Sequence, residues 1–139
     1  MSNVSYGDAL TAAVQDYLST LGRPVQPEFA VEVGLSAVRR KLHTFDLGND
    51  TLLVECKRFA WTAGGNSPSA KLATLNEALL YFVATPAHYR KLLVLAKAPG
   101  TRGGETLAAY YVRRYGHLIP PTVEVWEFDL TARTAERLC

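Results

Sequence analysis

The sequence predicts an α/β protein with a mixed central sheet flanked by helices. Three observations support this prediction: an amphipathic helical pattern opens the chain, three strand-like segments follow in succession, and later strand-like segments alternate with helical ones. The predicted order is α-β-β-β-α-β-α-β. Helices that connect successive strands favour parallel pairing and a sheet that is covered on both faces.

The helices are predicted from apolar residues that recur every three or four positions. One such stripe covers residues 5–21, and Gly22 is expected to end that helix. A second stripe covers residues 69–84, where Ser67 and Pro68 fit an N-cap followed by proline at the first helical position. A third covers residues 105–117.

The strands are predicted from short runs rich in valine, leucine and phenylalanine. Residues 28–38, 39–48 and 51–61 form the first group, and Gly48-Asn49-Asp50 supplies a tight turn between the second and third of them. Residues 91–97 and 122–130 supply the later strands.

Length and composition predict one domain that spans residues 1–139. Hydrophobic residues make up 48% of the 139, which is enough for a substantial core. The only two cysteines, Cys56 and Cys139, do not form a disulfide framework and favour a reducing, cytoplasmic location. The chain has no signal-peptide pattern and no apolar run near the roughly 20 residues that span a bilayer, so no membrane partner is expected. The net charge of +2 does not by itself indicate a nucleic-acid partner.

The predicted hairpin carries charged residues in an otherwise apolar segment. Alternation places Glu55 and Lys57 on the same face of their strand. A two-residue turn at Asn49-Asp50 would pair Asp46 with Leu53, and Glu55 would then lie diagonally from Asp46, roughly 7–8 Å away. A three-residue turn would turn Asp46 to the other face unless a bulge restored the register.

Two converging carboxylates repel each other and lose hydration, so a cation would stabilise them. Mg²⁺ is typically held by one or two carboxylates and keeps several waters, and Mn²⁺ can substitute for it. A neighbouring lysine can orient an attacking water or stabilise a phosphoryl transition state. Asp46, Glu55 and Lys57 therefore indicate metal-dependent phosphodiester hydrolysis. The alternative is an ordinary surface pair between Glu55 and Lys57, since acid-x-Lys triplets also arise by chance.

The segments "FDLG" and "VECK", which contain these residues, resemble the motif of the PD-(D/E)XK nuclease superfamily, the restriction-endonuclease-like fold. That family has an acid on its second strand and an acid-x-Lys on its third, and its order of elements matches nearly the whole chain. Phe45 stands where the motif name has proline. The resemblance implies a Mg²⁺-dependent endonuclease acting on DNA, in which Asp46 and Glu55 bind the metal and Lys57 assists the attacking water. By analogy, cutting two strands would involve a homodimer.

The resemblance also implies an additional acid from the first strand or helix. Glu32 is the preferred candidate for a third metal ligand, with Glu28 behind it. In the helix that follows the motif, Lys71, Asn76 and Glu77 occupy positions where the family often places an accessory polar residue.

Several residues are candidates for contact with nucleic acid. Trp61 is expected to stack on a base or to cover the edge of the core, and Lys71 lies at a helix start that favours phosphate. The basic cluster Arg39, Arg40 and Lys41 is expected to contact phosphates or to form a solvated face.

His43 is expected to point away from Asp46, because it lies three positions before Asp46 on a strand, and to be structural. Two other functions stay open at this stage. One is a catalytically idle module of the same fold that binds nucleic acid or protein, and the other is an interaction domain whose acidic pair is incidental.

Overall fold

The structure is a computed structural model that describes residues 6–100 and 103–139. Ser5, the first residue of the predicted opening helix, lies outside the described residues. The helices are α1 (Tyr6–Thr20), α2 (Ser69–Val83) and α3 (Leu107–Tyr115), and α3 continues into a 3₁₀ turn (Gly116–Leu118). The strands are β1 (Gln26–Val33), β2 (Lys41–Gly48), β3 (Leu52–Lys57), β4 (Arg90–Ala96), β5 (Val123–Asp129) and β6 (Thr134–Arg137).

The six strands form one sheet in the order of the chain, β1 to β6. β1, β2 and β3 pair in antiparallel fashion, β3, β4 and β5 pair in parallel, and β6 returns antiparallel to β5. The parallel pairs are those connected by α2 and α3, as helical crossovers require. The predicted α/β class and mixed, helix-flanked sheet are confirmed, and β6 is an additional strand.

Each face of the sheet has its own core. The α1 face buries Leu10, Val14 and Leu18 of the helix against the central strands. The opposite face buries α2 and α3 through Leu75, Phe82 and Tyr111, among others. β3 and β4 lie between both cores, which explains why their sequences are continuously apolar apart from Glu55 and Lys57 in β3 and the first two residues of β4.

Helix ends agree with the sequence at α1 and differ at α2. Gly22 has a φ of 74° and its N–H donates to the carbonyl of Ser19 (3.0 Å), so glycine ends α1 as predicted. At α2 the N-cap is Pro68 and no side chain caps the helix. The prediction of a Ser67 N-cap is therefore wrong, because the helix begins one residue later than the serine-proline pattern indicates.

No helix in residues 6–100 and 103–139 combines the length and apolar character that crossing a membrane requires.

Candidate active site

The alternation of side chains breaks at Asp46, in the middle of β2. Phe45 packs in the core under α2, whereas Leu47 packs in the core under α1, although residues two apart on a regular strand face the same way. β1 is bent at the same level, because Glu28 lies beside Asp46 and has a positive φ of 53°. Both strands therefore change direction around Asp46.

The connection between β2 and β3 differs from both predicted turns. Gly48 pairs with Leu53, so four residues, 49–52, join the strands. This register is shifted by two residues from that of a two-residue turn, so the turn by itself does not exchange the faces of the strands. Continuing the register brings Asp46 level with Glu55, where the sequence predicted a diagonal relation.

Asn49 explains the longer connection. Its side-chain oxygen accepts hydrogen bonds from the backbone N–H groups of Thr51 (2.8 Å) and Leu52 (2.8 Å). Its side-chain amide donates to the carbonyl of Pro24 (2.9 Å). Asn49 thus acts as the cap of an Asx-type turn rather than as the first residue of a type I′ turn.

The carboxylates of Asp46 and Glu55 each accept a backbone hydrogen bond across the gap between β2 and β3. The backbone N–H of Asp46 donates to Oε1 of Glu55 (3.0 Å), and the backbone N–H of Cys56 donates to Oδ2 of Asp46 (2.8 Å). Each carboxylate therefore satisfies a backbone group of the opposite strand. This reciprocal pair holds both side chains in defined positions.

Glu55 is strongly perturbed by its surroundings. Its side chain is almost fully buried, with 7% of the residue exposed. Desolvation, followed by the negative charge of Asp46, raises the pKa of Glu55 from 4.5 to about 7, against the lowering effects of the Asp46 N–H and of Lys57. Such a carboxyl group changes charge near neutral pH, a property more common in functional sites than elsewhere.

Glu55 and Lys57 open into a cleft of about 120 Å³ between the sheet and α2. Both project from the same face of β3, as the alternation predicts. α2 contributes the opposite wall with Thr74, Glu77 and Tyr81. Asn76 is not part of this wall, because its side-chain oxygen accepts a hydrogen bond from the hydroxyl of Tyr111 (2.8 Å).

His43 also lines the cleft, which sequence reasoning missed. Its ring stacks on Tyr81 with centroids 3.7 Å apart and meets Phe45 edge-on. The expectation that His43 points away from the acids assumed regular alternation, and the bend at Asp46 removes that assumption. Desolvation lowers the pKa of His43, although the charges of Asp46 and Glu77 oppose this effect. The sequence signal that could have placed His43 in the cleft is its spacing of two residues from Phe45, which puts both side chains on the same face of β2.

The two carboxylates fit a hard divalent cation that has few protein ligands. A cation would relieve the repulsion that acts on Glu55, and Mg²⁺ commonly uses one or two carboxylates with waters completing its shell. Within the part of the chain that the structure describes, no group of three or more His, Cys, Asp and Glu side chains is arranged to hold a metal. A divalent ion at this place would have Asp46 and Glu55 as its side-chain ligands, with water completing its shell.

Glu32, predicted as a third metal ligand, lies apart from these two acids. Val31 and Val33 on either side of it pack under α2, so Glu32 projects from the other side of β1. It forms an ion pair with Arg40 (2.6 Å), and 62% of its side chain is exposed. The prediction placed it on the correct strand but could not distinguish the faces of a strand that bends at Glu28.

The basic cluster 39–41 follows β1. Arg40 is engaged by Glu32 and also donates to the carbonyls of Gly34 (3.4 Å) and Ser36 (3.5 Å), so it closes the loop that joins β1 to β2. The side chains of Arg39 and Lys41 are exposed. These two, and not Arg40, are available to an anion.

Trp61 and Lys71, the other predicted nucleic-acid contacts, have different surroundings. The indole N–H of Trp61 donates to the carbonyl of Ala98 (2.9 Å), and its ring meets Tyr110 edge-on at 5.6 Å. Trp61 therefore covers the edge of the core, which was the alternative reading. Lys71 is exposed on the first turn of α2.

A larger cavity lies at the opposite end of β3. It has a volume of about 520 Å³ and is bounded by the 49–52 connection, Arg23 and Arg90. Arg90 is already paired with Glu124 through two hydrogen bonds (2.6 and 2.9 Å). The residues that line this cavity include one acid, Asp50, and no lysine.

Comparison with models of protein families, with curated proteins and with solved structures finds no match to this chain.

Proposed function

We propose that this chain is a Mg²⁺-dependent nuclease of the PD-(D/E)XK type, with a restriction-endonuclease-like core, that hydrolyses phosphodiester bonds of DNA. The observation that carries the proposal is the pair of cross-strand hydrogen bonds that the two carboxylates accept, Glu55 from the N–H of Asp46 and Asp46 from the N–H of Cys56, with Lys57 in the same cleft as Glu55. Packing of the sheet does not by itself require two acids and a lysine beside the irregularity in β2. Apolar side chains in place of the two acids would avoid the desolvation of Glu55.

Asp46 and Glu55 would hold the metal. When bound there, Mg²⁺ supplies a Lewis acid for the phosphoryl oxygen and lowers the pKa of a water. Lys57 orients the attacking water by hydrogen bonding and stabilises the negative charge that develops on the phosphoryl oxygens. The α2 wall and the buried position of Glu55 limit access of bulk water, which strengthens these electrostatic effects.

A second candidate is a catalytically idle module that binds nucleic acid. It is favoured by the lack, among the described residues, of a third ligating side chain beside the two acids. It differs from the nuclease in its predictions, because binding would then persist without cleavage.

The test combines thermal unfolding with cleavage assays. Mg²⁺ or Mn²⁺ should raise the melting temperature of the wild type through binding to the folded state, and this shift should be lost in Asp46→Asn. Cleavage of plasmid, linear duplex and single-stranded DNA should require the metal and should fall by roughly 10²-fold or more in Lys57→Ala, the scale expected when transition-state charge stabilisation is removed.

Glu32→Gln is the matched control. It removes an acid from the neighbouring strand but not from the cleft, so it should keep both the metal-induced shift and the cleavage. DNA binding without cleavage by the wild type would favour the idle module. Cleavage that survives Asp46→Asn would contradict the nuclease proposal.

A further inference from the structure

A second pocket adjoins the proposed catalytic cleft and shares a wall with it. Its volume is about 390 Å³, within the roughly 300–1,000 Å³ that is usual for ligand sites. Glu77 and Tyr81 line both cavities. The remaining lining residues come from the end of β1, the loop after it and the last turns of α2: Val33, Gly34, Leu35, Leu80 and Ala84.

The pocket is apolar and open to solvent. Leu35 is 70% exposed and Leu80 is 55% exposed, and both line it. Apolar side chains grouped beside a polar cleft are typical of a binding surface, whereas scattered exposed ones are not. The chemistry of this pocket therefore favours a flat or apolar group rather than another charge.

The walls of the pocket are held by specific contacts. The N–H of Gly34 donates to the carbonyl of Ala84 (3.1 Å), which ties the loop after β1 to the end of α2. A Cβ atom at Gly34 would approach the carbonyl oxygen of Arg39 to 2.7 Å, so glycine is required for the loop to fold back this closely. Arg40 closes the same loop through its bonds to backbone carbonyls. The pocket is thus a built feature of the fold.

Aromatic and basic groups border the pocket. Tyr81, stacked on His43 with ring planes 12° apart, separates it from the cleft. Two exposed cations lie next to the pocket wall: Lys41, the first residue of β2, pairs with Val33, and the backbone of Arg39 lies against Gly34. Neither side chain has an ion pair among the described residues. A largely apolar pocket with an aromatic wall and exposed cations on the residues next to that wall is complementary to a nucleobase attached to a phosphate backbone.

We propose that this pocket receives an unpaired nucleobase next to the phosphate that lies in the cleft, so that the substrate is single-stranded or unpaired at this point. The inference rests on the proposed nuclease function. A base within a duplex is stacked on both faces and paired at its edge, so it would have to be flipped out first, at a cost of a few kcal/mol. A single strand offers its bases without that cost.

The experiment compares the full chain with two α2 variants. Leu80→Ser removes an apolar wall of the pocket, and Val83→Ser is the matched control, since Val83 is similarly exposed (50%) on the same helix but does not line the pocket. The substrates are a labelled single strand, its duplex, and the same strand with abasic nucleotides flanking the cleaved bond. Circular dichroism and melting temperature establish that both variants fold.

The wild type should cleave the single strand roughly tenfold or more faster than the duplex, and the abasic strand should lose a similar factor, the scale of one base-stacking contact. Leu80→Ser should lower kcat/KM for the single strand by roughly tenfold and leave the abasic strand unchanged, and Val83→Ser should match the wild type. Equal cleavage of single strand and duplex, or equal effects of the two serine variants, would overturn the proposal while leaving the nuclease function intact.

If the wild type cleaves none of these substrates in the presence of Mg²⁺ or Mn²⁺, the nuclease function is contradicted, and this inference with it. Light scattering provides one further outcome. If the wild type is a dimer and Leu80→Ser makes it monomeric, the pocket is an interface between two copies of the chain, and the nucleobase proposal is wrong.

Discussion

At the residue scale, the electrostatics of the cleft centre on Glu55. Its carboxyl group is buried beside a second acid, Asp46. Burial and the charge of Asp46 raise the pKa of Glu55 by more than the charge of Lys57 lowers it. Substituting glutamine keeps an oxygen that can accept the N–H of Asp46 and removes only the charge.

The first prediction follows from this pKa of about 7, compared with 4.5 for an ordinary glutamate. Between these values the folded chain keeps a proton that the unfolded chain has released, so the stability of the wild type should fall as pH rises through this window. In the presence of a chelator, Glu55→Gln should therefore gain stability relative to the wild type from pH 4.5 to pH 7, by on the order of 3 kcal/mol.

Denaturant unfolding at several pH values measures this difference. Glu136→Gln, which removes an exposed acid on β6, should show no such trend. A stability difference between Glu55→Gln and the wild type that is constant with pH would contradict the prediction.

Glu127 is a second buried acid with an unusual environment. It lies on β5, where Leu95 is its neighbour on β4, and its Oε2 is the one fully buried side-chain polar atom without a hydrogen-bond partner among the described residues. A buried, unsatisfied polar atom costs about 1–3 kcal/mol. We predict that Glu127→Leu raises the free energy of unfolding by an amount of this order, measured by urea titration.

Glu136→Leu serves as the control for Glu127→Leu, because Glu136 pairs with Glu127 across β5 and β6 but is exposed. It should change stability by less than about 0.5 kcal/mol, as surface substitutions usually do. A loss of stability in Glu127→Leu would mean that the carboxylate has a partner that its hydrogen-bond geometry does not reveal.

At the scale of elements, the site depends on how β1 and β2 bend together. The bend brings Phe29 of β1 over Gly48 of β2. A Cβ atom at Gly48 would come within 2.7 Å of the ring carbon Cδ1 of Phe29 and within 2.9 Å of its Cβ. The strand pair therefore requires glycine for space at this position.

We predict that Gly48→Ala destabilises the fold by about 1–3 kcal/mol, the range for overpacking. Gly116→Ala is the matched control. Gly116 has helical backbone angles (φ −56°, ψ −30°) and open space around its Cβ position, so alanine should leave stability unchanged or raise it by about 0.4–1 kcal/mol. Thermal unfolding of both variants tests the pair, and equal effects would contradict the steric argument.

At the scale of the whole molecule, the sheet has a protected centre and two exposed edges. β3 and β4 are covered on both faces, and six register pairs join them. β6 is a short edge strand with no fully buried residue. Such differences in burial produce differences in local stability.

Hydrogen exchange should reflect this arrangement. Amides of β3, β4 and β5 should exchange slowest, near the rate set by global unfolding, and amides of β6 should exchange orders of magnitude faster. Mass spectrometry of peptic peptides distinguishes these segments. Equal protection of β6 and β4 would indicate that another surface covers the edge.

Sequence patterns were sufficient for the elements whose signals are local. Apolar periodicity identified α1, α2 and α3, and continuous apolar runs identified the strands that lie between two cores. β6 was not predicted because it is short, exposed and charged, and pairing with β5 rather than its own composition makes it a strand. The Ser67 cap failed because serine-proline patterns define helix starts only to within a residue or two.

The sequence by itself determined that Asp46, Glu55 and Lys57 belong to one hairpin and that Glu55 and Lys57 share a face, because strand alternation is a local property of the backbone. Only the tertiary structure decided which other groups join them. The bend shared by Glu28 and Asp46 excluded Glu32 from the cleft and brought His43 into it, and the connection capped by Asn49 set Asp46 level with Glu55. α2 then added Glu77 and Tyr81, since contacts between distant segments depend on how the helix packs against the sheet.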